Sequence, residues 1–419
     1  MKILYLSYAS EPSKGSEYGV GWNVPLTYAR QYPMDDVYVL TRGRVRRKIE
    51  KELEVLHLSN LHYLFYDIPS WLTYPNEMQS HWGEQINYIL WQLLSRKKVK
   101  RIVKQQKIDI VHHLTFNQYR TPSPGFWLDI PFVMGPIGGA ETISPCFDRD
   151  LSPHTLHKEV MRRKGKDLKL FGWLTKRSSN RKMVFFSSMQ NRDRIFPYCS
   201  SSCKGDIMPA IAFSSDDFHV LSESNPSQDT PVKAFEMIYA GKALDWKGLH
   251  IFLQALKKAF LDHHIKNIRV LLIGIRFEEE QQMVKTWAEL LNLQDYVDLV
   301  PFMDRNQLLQ QMSHCNLSVY PAFRDSGSMS VLEASVLGCP TICFDTGGQD
   351  AFPDEILFKV KVQDSYEETL DAFAQRLLWI YNHPDEAKSV GERSKDYVYR
   401  TLTWEKRISD FRNVYKKLI

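Results

Sequence analysis

Two carboxylates in the second half of the chain have the types and the spacing of a ligand-binding pair. Asp325 and Glu333 are separated by seven residues in the stretch FRDSGSMSVLEASVLG, which lies between the apolar runs NLSVYPA and PTICF. The pattern predicts a strand that ends at Pro321, a turn, and a helix that starts at Ser328 and ends before Gly338. Free N–H groups at a helix start favour an anion, and carboxylates accept hydrogen bonds from hydroxyls. The stretch therefore fits a polyhydroxyl ligand that carries phosphate.

A structural alternative exists for the same pair. Glu333 would then only stabilise the helix dipole, and Asp325 would only fill a turn, because strand–turn–helix units are common in proteins of many functions.

A second segment, AGKALDWKGLHIF, places two lysines at the predicted carboxyl end of a strand. Lys242 and Lys247 follow the run FEMIYA and precede an amphipathic helix. Ligands of parallel sheets bind outside the carboxyl ends of the strands, where two ammonium groups can neutralise a diphosphate. For either lysine alone, a solvated turn is the alternative.

The elements that must position these residues alternate between strand and helix in both halves of the chain. Strand-length apolar runs such as KILYLSYA, DVYVLTRG and DIVHHLT occur in the first half, and IRVLLIGI, VDLVPFM and NLSVYPA in the second. Such alternation predicts parallel sheets covered by helices on both faces. The predicted fold class is α/β, with two doubly wound Rossmann-like domains facing a cleft. The predicted domains cover 1–220 and 221–400, with a linker at Leu221–Pro231.

Composition and charge exclude several classes of protein. The chain has 419 residues, of which 43% are hydrophobic, and a formal net charge of +5. This charge is too small for wholesale nucleic-acid binding, so no nucleic-acid partner is expected. No apolar run has the length of a membrane-spanning helix, no signal peptide is recognisable, and the scattered cysteines fit a reducing compartment. The expected location is the cytoplasm.

In the order and spacing of these motifs, the chain resembles GT-B glycosyltransferases of family 4, in particular those of bacterial surface-polysaccharide assembly. Asp325 and Glu333 match the two carboxylates that this family carries after a strand ending in proline. The segment from Lys242 to Lys247 matches its Gly-Arg…Lys-Gly segment, with lysine in place of the usual arginine. GSEYGVGWN, VHHLT, GPIGGAE and LTWE resemble further family segments. The last of them implies a final helix over 401–419 that crosses back to the first domain.

The resemblance implies a role for each matching residue. Glu333 would bind the ribose of a nucleotide, and Asp325 would contact the donor hexose. Lys242 and Lys247 would hold the diphosphate. The other implied contacts are the backbone around Gly327, Ser328 and Met329 with the hexose, Val300 and Phe302 with the base, Gly19 and Gly21 with the phosphates and the acceptor, and His113 with the donor sugar.

The reaction implied by the resemblance is transfer of a hexose, with retention of configuration, from a nucleotide diphosphate sugar to a glycan or lipid-linked acceptor in polysaccharide biosynthesis. No cofactor and no metal are expected, because the lysines would neutralise the diphosphate and the Asp148-Arg149-Asp150 motif follows no convincing strand. Two alternatives stay open: another reaction on the same fold, such as a GT-B epimerase or a phosphorylase, and a non-catalytic sugar-nucleotide-binding scaffold subunit. The scaffold predicts nucleotide binding without turnover.

Two basic clusters predict a surface that meets anionic lipid. One covers His157–Lys182, where Phe171 and Trp173 are interleaved with lysines and arginines, and the other covers Arg96–Lys104. Lipid-linked acceptors reside at anionic membrane surfaces, so one interpretation is peripheral association with the inner face of the cytoplasmic membrane. The other interpretation is a solvated basic face.

Overall fold

The computed structural model describes residues 1–74, 81–177, 180–214 and 234–419. Contacts divide the chain into two compact units. The first unit consists of Met1–Ala140, Gly165–Ala210 and Trp404–Ile419, and the second unit consists of Glu141–Lys164 and Ile211–Thr403. The predicted linker at Leu221–Pro231 lies outside the described residues.

Strands and helices alternate along the described chain. The strands are β1 Lys2–Leu6, β2 Asp36–Thr41, β3 Leu61–Phe65, β4 Ile110–His113, β5 Phe132–Ile137, β6 Lys182–Phe186, β7 Cys203–Ile207, β8 Phe235–Ala240, β9 Ile268–Ile273, β10 Val297–Val300, β11 Leu317–Tyr320, β12 Thr341–Phe344 and β13 Phe358–Val360. The helices are α1 Ser16–Gln31, α2 Arg46–Leu56, α3 His81–Leu94, α4 Arg96–Gln106, α5 Pro153–Lys164, α6 Leu168–Thr175, α7 Met189–Ile195, α8 Leu249–Leu256, α9 Glu278–Leu290, α10 Arg305–His314, α11 Met329–Leu337, α12 Tyr366–Asn382, α13 Pro384–Thr401 and α14 Trp404–Leu418.

Each unit contains one sheet with the strand order of a doubly wound domain. The first sheet has the order β3-β2-β1-β4-β5-β6-β7, and the second has the order β10-β9-β8-β11-β12-β13. Neighbouring strands are parallel, for example β1 with β4 and β8 with β9. The strand order reverses between β1 and β4 in the first sheet and between β8 and β11 in the second, which is where ligands of such sheets bind. The prediction of two Rossmann-like α/β units is confirmed.

The apolar strands are buried because helices cover both faces of each parallel sheet. Ile3, Leu4 and Leu6 of β1 are fully buried, and so are Val270 and Leu272 of β9. These continuous apolar runs are the signal that made the strands recognisable in the sequence.

The unit boundaries differ from the predicted domain boundaries. Glu141–Lys164 falls inside the predicted domain over 1–220, but it packs with the second unit. Its buried side chains Ile143, Phe147 and Leu151 join the core around β8 and α8. The final helix starts at Trp404 and belongs to the first unit. The sequence does not reveal that Glu141–Lys164 packs against the second sheet. Neither α5 nor the irregular run before it has a hydrophobic pattern that indicates which of the two sheets it covers.

The first helix begins earlier than predicted. The sequence pattern predicts a loop over 11–19 and a helix from Val20, whereas α1 starts at Ser16 and so includes Gly19 as well as Gly21. A Cβ atom built on Gly21 would lie 1.8 Å from the carbonyl oxygen of Ala9, so only glycine lets the helix approach the chain after β1 this closely. Gly21 therefore lets α1 pack closely on the chain after β1. The contact of Gly19 and Gly21 with the phosphates and the acceptor stays a prediction.

Candidate functional site

A cavity of about 310 Å³ opens at the carboxyl ends of β8, β9 and β11, where the strand order of the second sheet reverses. Six of the residues predicted from the sequence line it: Lys247, Phe302, Asp325, Gly327, Met329 and Glu333. The parallel sheet brings these distant segments together because the carboxyl ends of its strands meet at one edge.

Three other predicted residues of the second unit do not line this cavity. Lys242 is exposed, and its carbonyl oxygen accepts a hydrogen bond from the hydroxyl of Tyr239 at 2.7 Å. Ser328 is the N-cap residue of α11, and Val300 is the last residue of β10. The two predicted lysines therefore differ, since only Lys247 reaches the cavity.

Lys247, Tyr320 and Asp325 form one hydrogen-bonded cluster in the cavity wall. Nζ of Lys247 donates to the hydroxyl oxygen of Tyr320 at 3.1 Å and to Oδ2 of Asp325. The Tyr320 hydroxyl donates to the same carboxylate oxygen. Burial, and next the charge of Asp325, raise the pKa of Tyr320 well above its usual value, so the tyrosine is a neutral donor. The cluster fixes an ammonium group between the two strands that flank the strand-order reversal.

A glycine explains why Lys247 comes so close to the end of β11. Gly248 has a φ of +67°, a conformation that favours glycine, and it separates the short turn Asp245–Lys247 from α8. A Cβ atom at this position would lie 2.0 Å from the carbonyl oxygen of Pro321. Gly248 is therefore required for close packing, and Lys247 before it supplies the positive charge.

Glu333 occupies the second turn of α11 and is buried. Its Oε1 accepts a hydrogen bond from Nε of Arg305 at 3.2 Å. Burial raises the pKa of the Glu333 carboxyl above its usual value, against the opposing effect of Arg305. The carboxylate thus has one protein cation as its partner while it lines a cavity, which leaves acceptor capacity for ligand hydroxyl groups.

Tyr320 and Arg276 are among the cavity side chains that sequence reasoning missed. Tyr320 ends β11, and the guanidinium carbon of Arg276 lies 4.8 Å from the ring centroid of Phe302. The available signal was positional, because both residues come at or just after the carboxyl end of a predicted strand. Arg276 adds a second cation to the cavity that Lys247 lines.

The loop that carries Asp325 is held by the segment Glu141–Lys164. The ring of Phe147 stacks on Phe323, with ring centroids 3.8 Å apart. Oε2 of Glu159 accepts a hydrogen bond from Nη1 of Arg324 at 3.2 Å. We call the three residues on this segment that hold the loop, Glu141, Phe147 and Glu159, the loop clamp.

The third contact of the loop clamp joins Glu141 to the residue after Asp325. The hydroxyl of Ser326 donates to Oε1 of Glu141 at 2.5 Å. The clamp therefore holds the residues on both sides of Asp325, while the Asp325 carboxylate itself is bound by Lys247 and Tyr320. This arrangement fixes the carboxylate in the cavity wall.

Replacing Glu159 with glutamine is expected to lower the free energy of unfolding by about 3 kcal/mol, since removal of one partner of a buried ion pair leaves the other uncompensated. Glu159 is fully buried, and its carboxylate accepts from Ile143 N at 2.8 Å and from Arg162 Nη1 at 2.5 Å, besides Arg324. Urea unfolding followed by circular dichroism measures the change.

The matched control is Glu289→Gln, the same chemical change at an exposed position of α9. Its expected effect is within about 0.5 kcal/mol. Equal losses in the two variants would contradict the role of Glu159 in the loop clamp.

His113, a predicted site residue, lies in the first unit at the carboxyl end of β4. His112 and His113 are both fully buried, and their rings meet different neighbours. Nδ1 of His112 lies 2.6 Å from the hydroxyl of Tyr415, whereas Nε2 of His113 lies 3.0 Å from the hydroxyl of Tyr88. His113 is thus at the strand-order reversal of the first sheet, and its contact with a donor sugar stays a prediction.

The two histidines predict that the protein loses stability in mild acid. Burial lowers the pKa of His112 to about 3 and that of His113 to about 4. Between about pH 6.5, the usual histidine pKa, and about pH 4, the unfolded chain binds protons that the folded chain does not. The free energy of unfolding therefore decreases as the pH is lowered through this range. Melting temperatures measured across this range check the prediction. A shallower dependence in His113→Asn is expected, and an unchanged slope would contradict it.

Both carboxylates of the Asp148-Arg149-Asp150 motif lie beside basic side chains. The Asp148 carboxylate accepts two hydrogen bonds from Arg163, at 2.9 and 2.5 Å, and Oδ2 of Asp150 lies 3.1 Å from Nε2 of His250. Among the described residues, no group of three or more His, Cys, Asp or Glu side chains is placed to hold a metal ion.

Comparison with known proteins was informative for the part of the chain that holds the cavity. Residues 222–396 match the family model for glycosyl transferases group 1. This range includes all the cavity residues named above. The comparison with curated protein sequences found no match.

Solved structures of similar fold cover almost the whole chain. Sucrose-phosphate synthase from Thermosynechococcus elongatus is 16% identical, with a TM-score of 0.66, over 100% of this chain and 98% of that chain. Anabaena HepE in complex with UDP is 16% identical, with a TM-score of 0.58, over 99% and 100%. The lipopolysaccharide outer core galactosyltransferase WaaB is 13% identical, with a TM-score of 0.62, over 100% of both chains. The fold is GT-B, as the resemblance implied.

The helices were also compared with the length and hydropathy that a bilayer requires. None of those in the described ranges is long and apolar enough to cross a membrane.

Proposed function

We propose that this protein is a retaining glycosyltransferase that moves a hexose from a nucleoside diphosphate sugar to a hydroxyl group of a glycan or lipid-linked acceptor. The observation that carries the proposal is the convergence of Lys247, Asp325 and Glu333 on one cavity at the strand-order reversal of the second sheet. The match of residues 222–396 to group 1 glycosyl transferases supports glycosyl transfer. The UDP bound by the similarly folded HepE supports a nucleotide-sugar donor.

The charges in the cavity suit two parts of such a donor, the ribose and the diphosphate. The Glu333 carboxylate would accept hydrogen bonds from the ribose hydroxyls, and the Lys247 ammonium would contact the diphosphate. Lysine has three N–H donors, and Tyr320 and Asp325 accept two of them, so one remains for a phosphate oxygen. Arg276 would add charge beside the diphosphate or stack on the base together with Phe302.

The proposed chemistry is a front-face displacement. The bond from the anomeric carbon to the phosphate oxygen breaks, and the bond to the acceptor oxygen forms on the same face, so configuration is retained. The acceptor proton passes to the leaving phosphate oxygen. Asp325 is not assigned the role of nucleophile, because its Oδ2 is bound by Lys247 and Tyr320. The main catalytic contribution is then stabilisation of the charge that builds on the diphosphate.

A donor panel without acceptor tests the proposal. UDP-, GDP-, ADP- and dTDP-sugars are compared by thermal shift and by slow release of nucleoside diphosphate. One donor that both stabilises the protein and is hydrolysed supports the proposal and identifies the base. Binding without hydrolysis, and without transfer to any acceptor, would favour a non-catalytic scaffold, and binding of none would contradict the proposal.

A further inference from the structure

The helices α3, α4 and α6 of the first unit bury apolar side chains on one side, and α3 and α6 also expose apolar side chains on the other. The buried side chains of α3, α4 and α6 belong to a common core with the first sheet: Tyr88, Trp91, Val99, Ile102, Phe171 and Leu174. The three helices therefore lie on the same face of that sheet, and their opposite sides point away from it.

The exposed side of α3 carries an aliphatic stripe. Ile86, Ile89 and Leu93 are exposed and recur at helical spacing, so they lie along one face of the helix. Asn87 binds the backbone of Tyr74, accepting from its N–H at 2.7 Å and donating to its carbonyl at 3.3 Å. This contact attaches the turn Ser70–Leu72 and its neighbour Tyr74 to α3, and Trp71 of that turn is 81% exposed.

The adjoining helix α4 supplies positive charge. Its exposed basic side chains are Arg96, Lys97, Lys100, Arg101 and Lys104, and the helix contains no acidic residue. Val99 and Ile102 fill its buried side, so the charges lie away from the core.

The short helix α6 repeats the combination. Leu170 and Trp173 are exposed, at 47% and 50%, and the guanidinium carbon of Arg177 lies 3.3 Å from the Trp173 ring centroid. Lys169 and Lys176 are exposed on and beside the same helix. Aliphatic and aromatic side chains next to lysine and arginine are what an interfacial helix presents to lipid.

We propose that the exposed sides of α3, α4 and α6, together with the turn Ser70–Leu72, form a membrane-docking face for anionic phospholipid. The apolar side chains enter the boundary between headgroups and acyl chains, and the basic side chains pair with the headgroup phosphates. A solvated basic face would account for the lysines but not for the exposed Ile89, Leu93 and Trp71. Nucleic acid is disfavoured because an aliphatic stripe neither stacks on bases nor hydrogen-bonds to them.

The docking face deepens the proposed function, on which its biological use rests, because it would bring the enzyme to an acceptor carried on a lipid. The contact with lipid itself depends only on the side chains of the first unit. The two proposals can therefore fail separately.

Flotation of the full chain with vesicles tests the docking face. Binding is expected to vesicles that contain phosphatidylglycerol, to be weak for phosphatidylcholine alone, and to decrease at high salt. Ile89→Ser with Leu93→Ser, and separately Lys100→Gln with Arg101→Gln and Lys104→Gln, are each expected to lower the partition coefficient by about tenfold or more. The matched charge control replaces Arg47, Lys416 and Lys417, which are exposed on α2 and α14, with glutamine and should retain binding.

Each remaining outcome overturns the docking face. These outcomes are equal flotation with neutral vesicles, no flotation of the wild type, binding by the serine variant at the wild-type level, and an equal loss in the charge control. A dimer in solution that the serine variant abolishes, without flotation, would identify a second copy of the chain as the partner of this face. Circular dichroism serves as the folding control, because it does not depend on nucleotide binding. If donor binding persists without flotation, only the docking face fails, and if flotation persists without donor binding, only the proposed function fails.

Discussion

Replacing Lys247 with alanine is expected to lower turnover by about 10²–10³-fold, the loss seen when one preorganised group that stabilises transition-state charge is removed. Lys247 is the lysine whose ammonium group lines the cavity beside Tyr320 and Asp325. Without it, the negative charge of the leaving diphosphate faces the Asp325 carboxylate with one cation fewer. Rates of donor hydrolysis and of transfer, measured at saturating donor, report the change.

Lys242→Ala is the matched control, because it removes the same group five residues away at an exposed position outside the cavity. Its expected loss of turnover is much smaller. The sequence resemblance gives both lysines the diphosphate, so equal losses would mean that Lys242 joins the site when the donor binds. Turnover of Lys247→Ala at the wild-type rate would remove Lys247 from the catalytic machinery.

Replacing Glu333 with alanine is expected to weaken nucleotide binding by about 1.5–3 kcal/mol, which corresponds to roughly 10- to 150-fold in Kd, from loss of charge-assisted hydrogen bonds to the ribose. Titration calorimetry with the nucleoside diphosphate found in the donor panel gives the affinity. Arg305→Ala removes the protein partner of Glu333 but leaves its carboxylate in the cavity. This variant should therefore keep most of the affinity, whereas equal losses would indicate that the ion pair, and not contact with the ribose, matters.

The pH dependence of binding gives a second test of Glu333. Burial raises the pKa of this carboxyl, so it takes up a proton at a higher pH than an ordinary glutamate. The charged acceptor is fully present above the raised pKa and is lost as the pH falls through it, so nucleotide affinity should decrease in acid. Glu333→Gln should lack this dependence, and a decrease of the same size in both proteins would assign the effect to another group.

Much of the second unit could be predicted from sequence because its strands are continuous apolar runs that end in turns. The strand before Pro321, the helix that ends at Gly338, and the turn at Lys247 follow from local signals of strand, cap and glycine. Parallel strands then bring Lys247 and Asp325 to one edge without further information.

What could not be predicted depends on contacts between segments far apart in sequence. Tyr320 looks like an ordinary strand residue until its hydroxyl is seen beside Asp325. Arg276 and Arg305 become relevant only once Phe302 and Glu333 are placed next to them. The start of α1 at Ser16 was missed because the predicted loop over 11–19 contains Gly15 and Gly19, and glycine has a low helix propensity.

The loop clamp has a consequence for how such proteins can recombine. Residues 222–396 match the family model, but Glu141, Phe147 and Glu159, which hold the loop around Asp325, lie outside that range. A chimaera that exchanges only 222–396 between relatives would combine the loop around position 325 of one relative with the loop clamp of the other. The set of residues that positions the Asp325 loop is therefore discontinuous in the sequence, and substitutions at 141, 147 and 159 should covary across relatives with those at 323, 324 and 326.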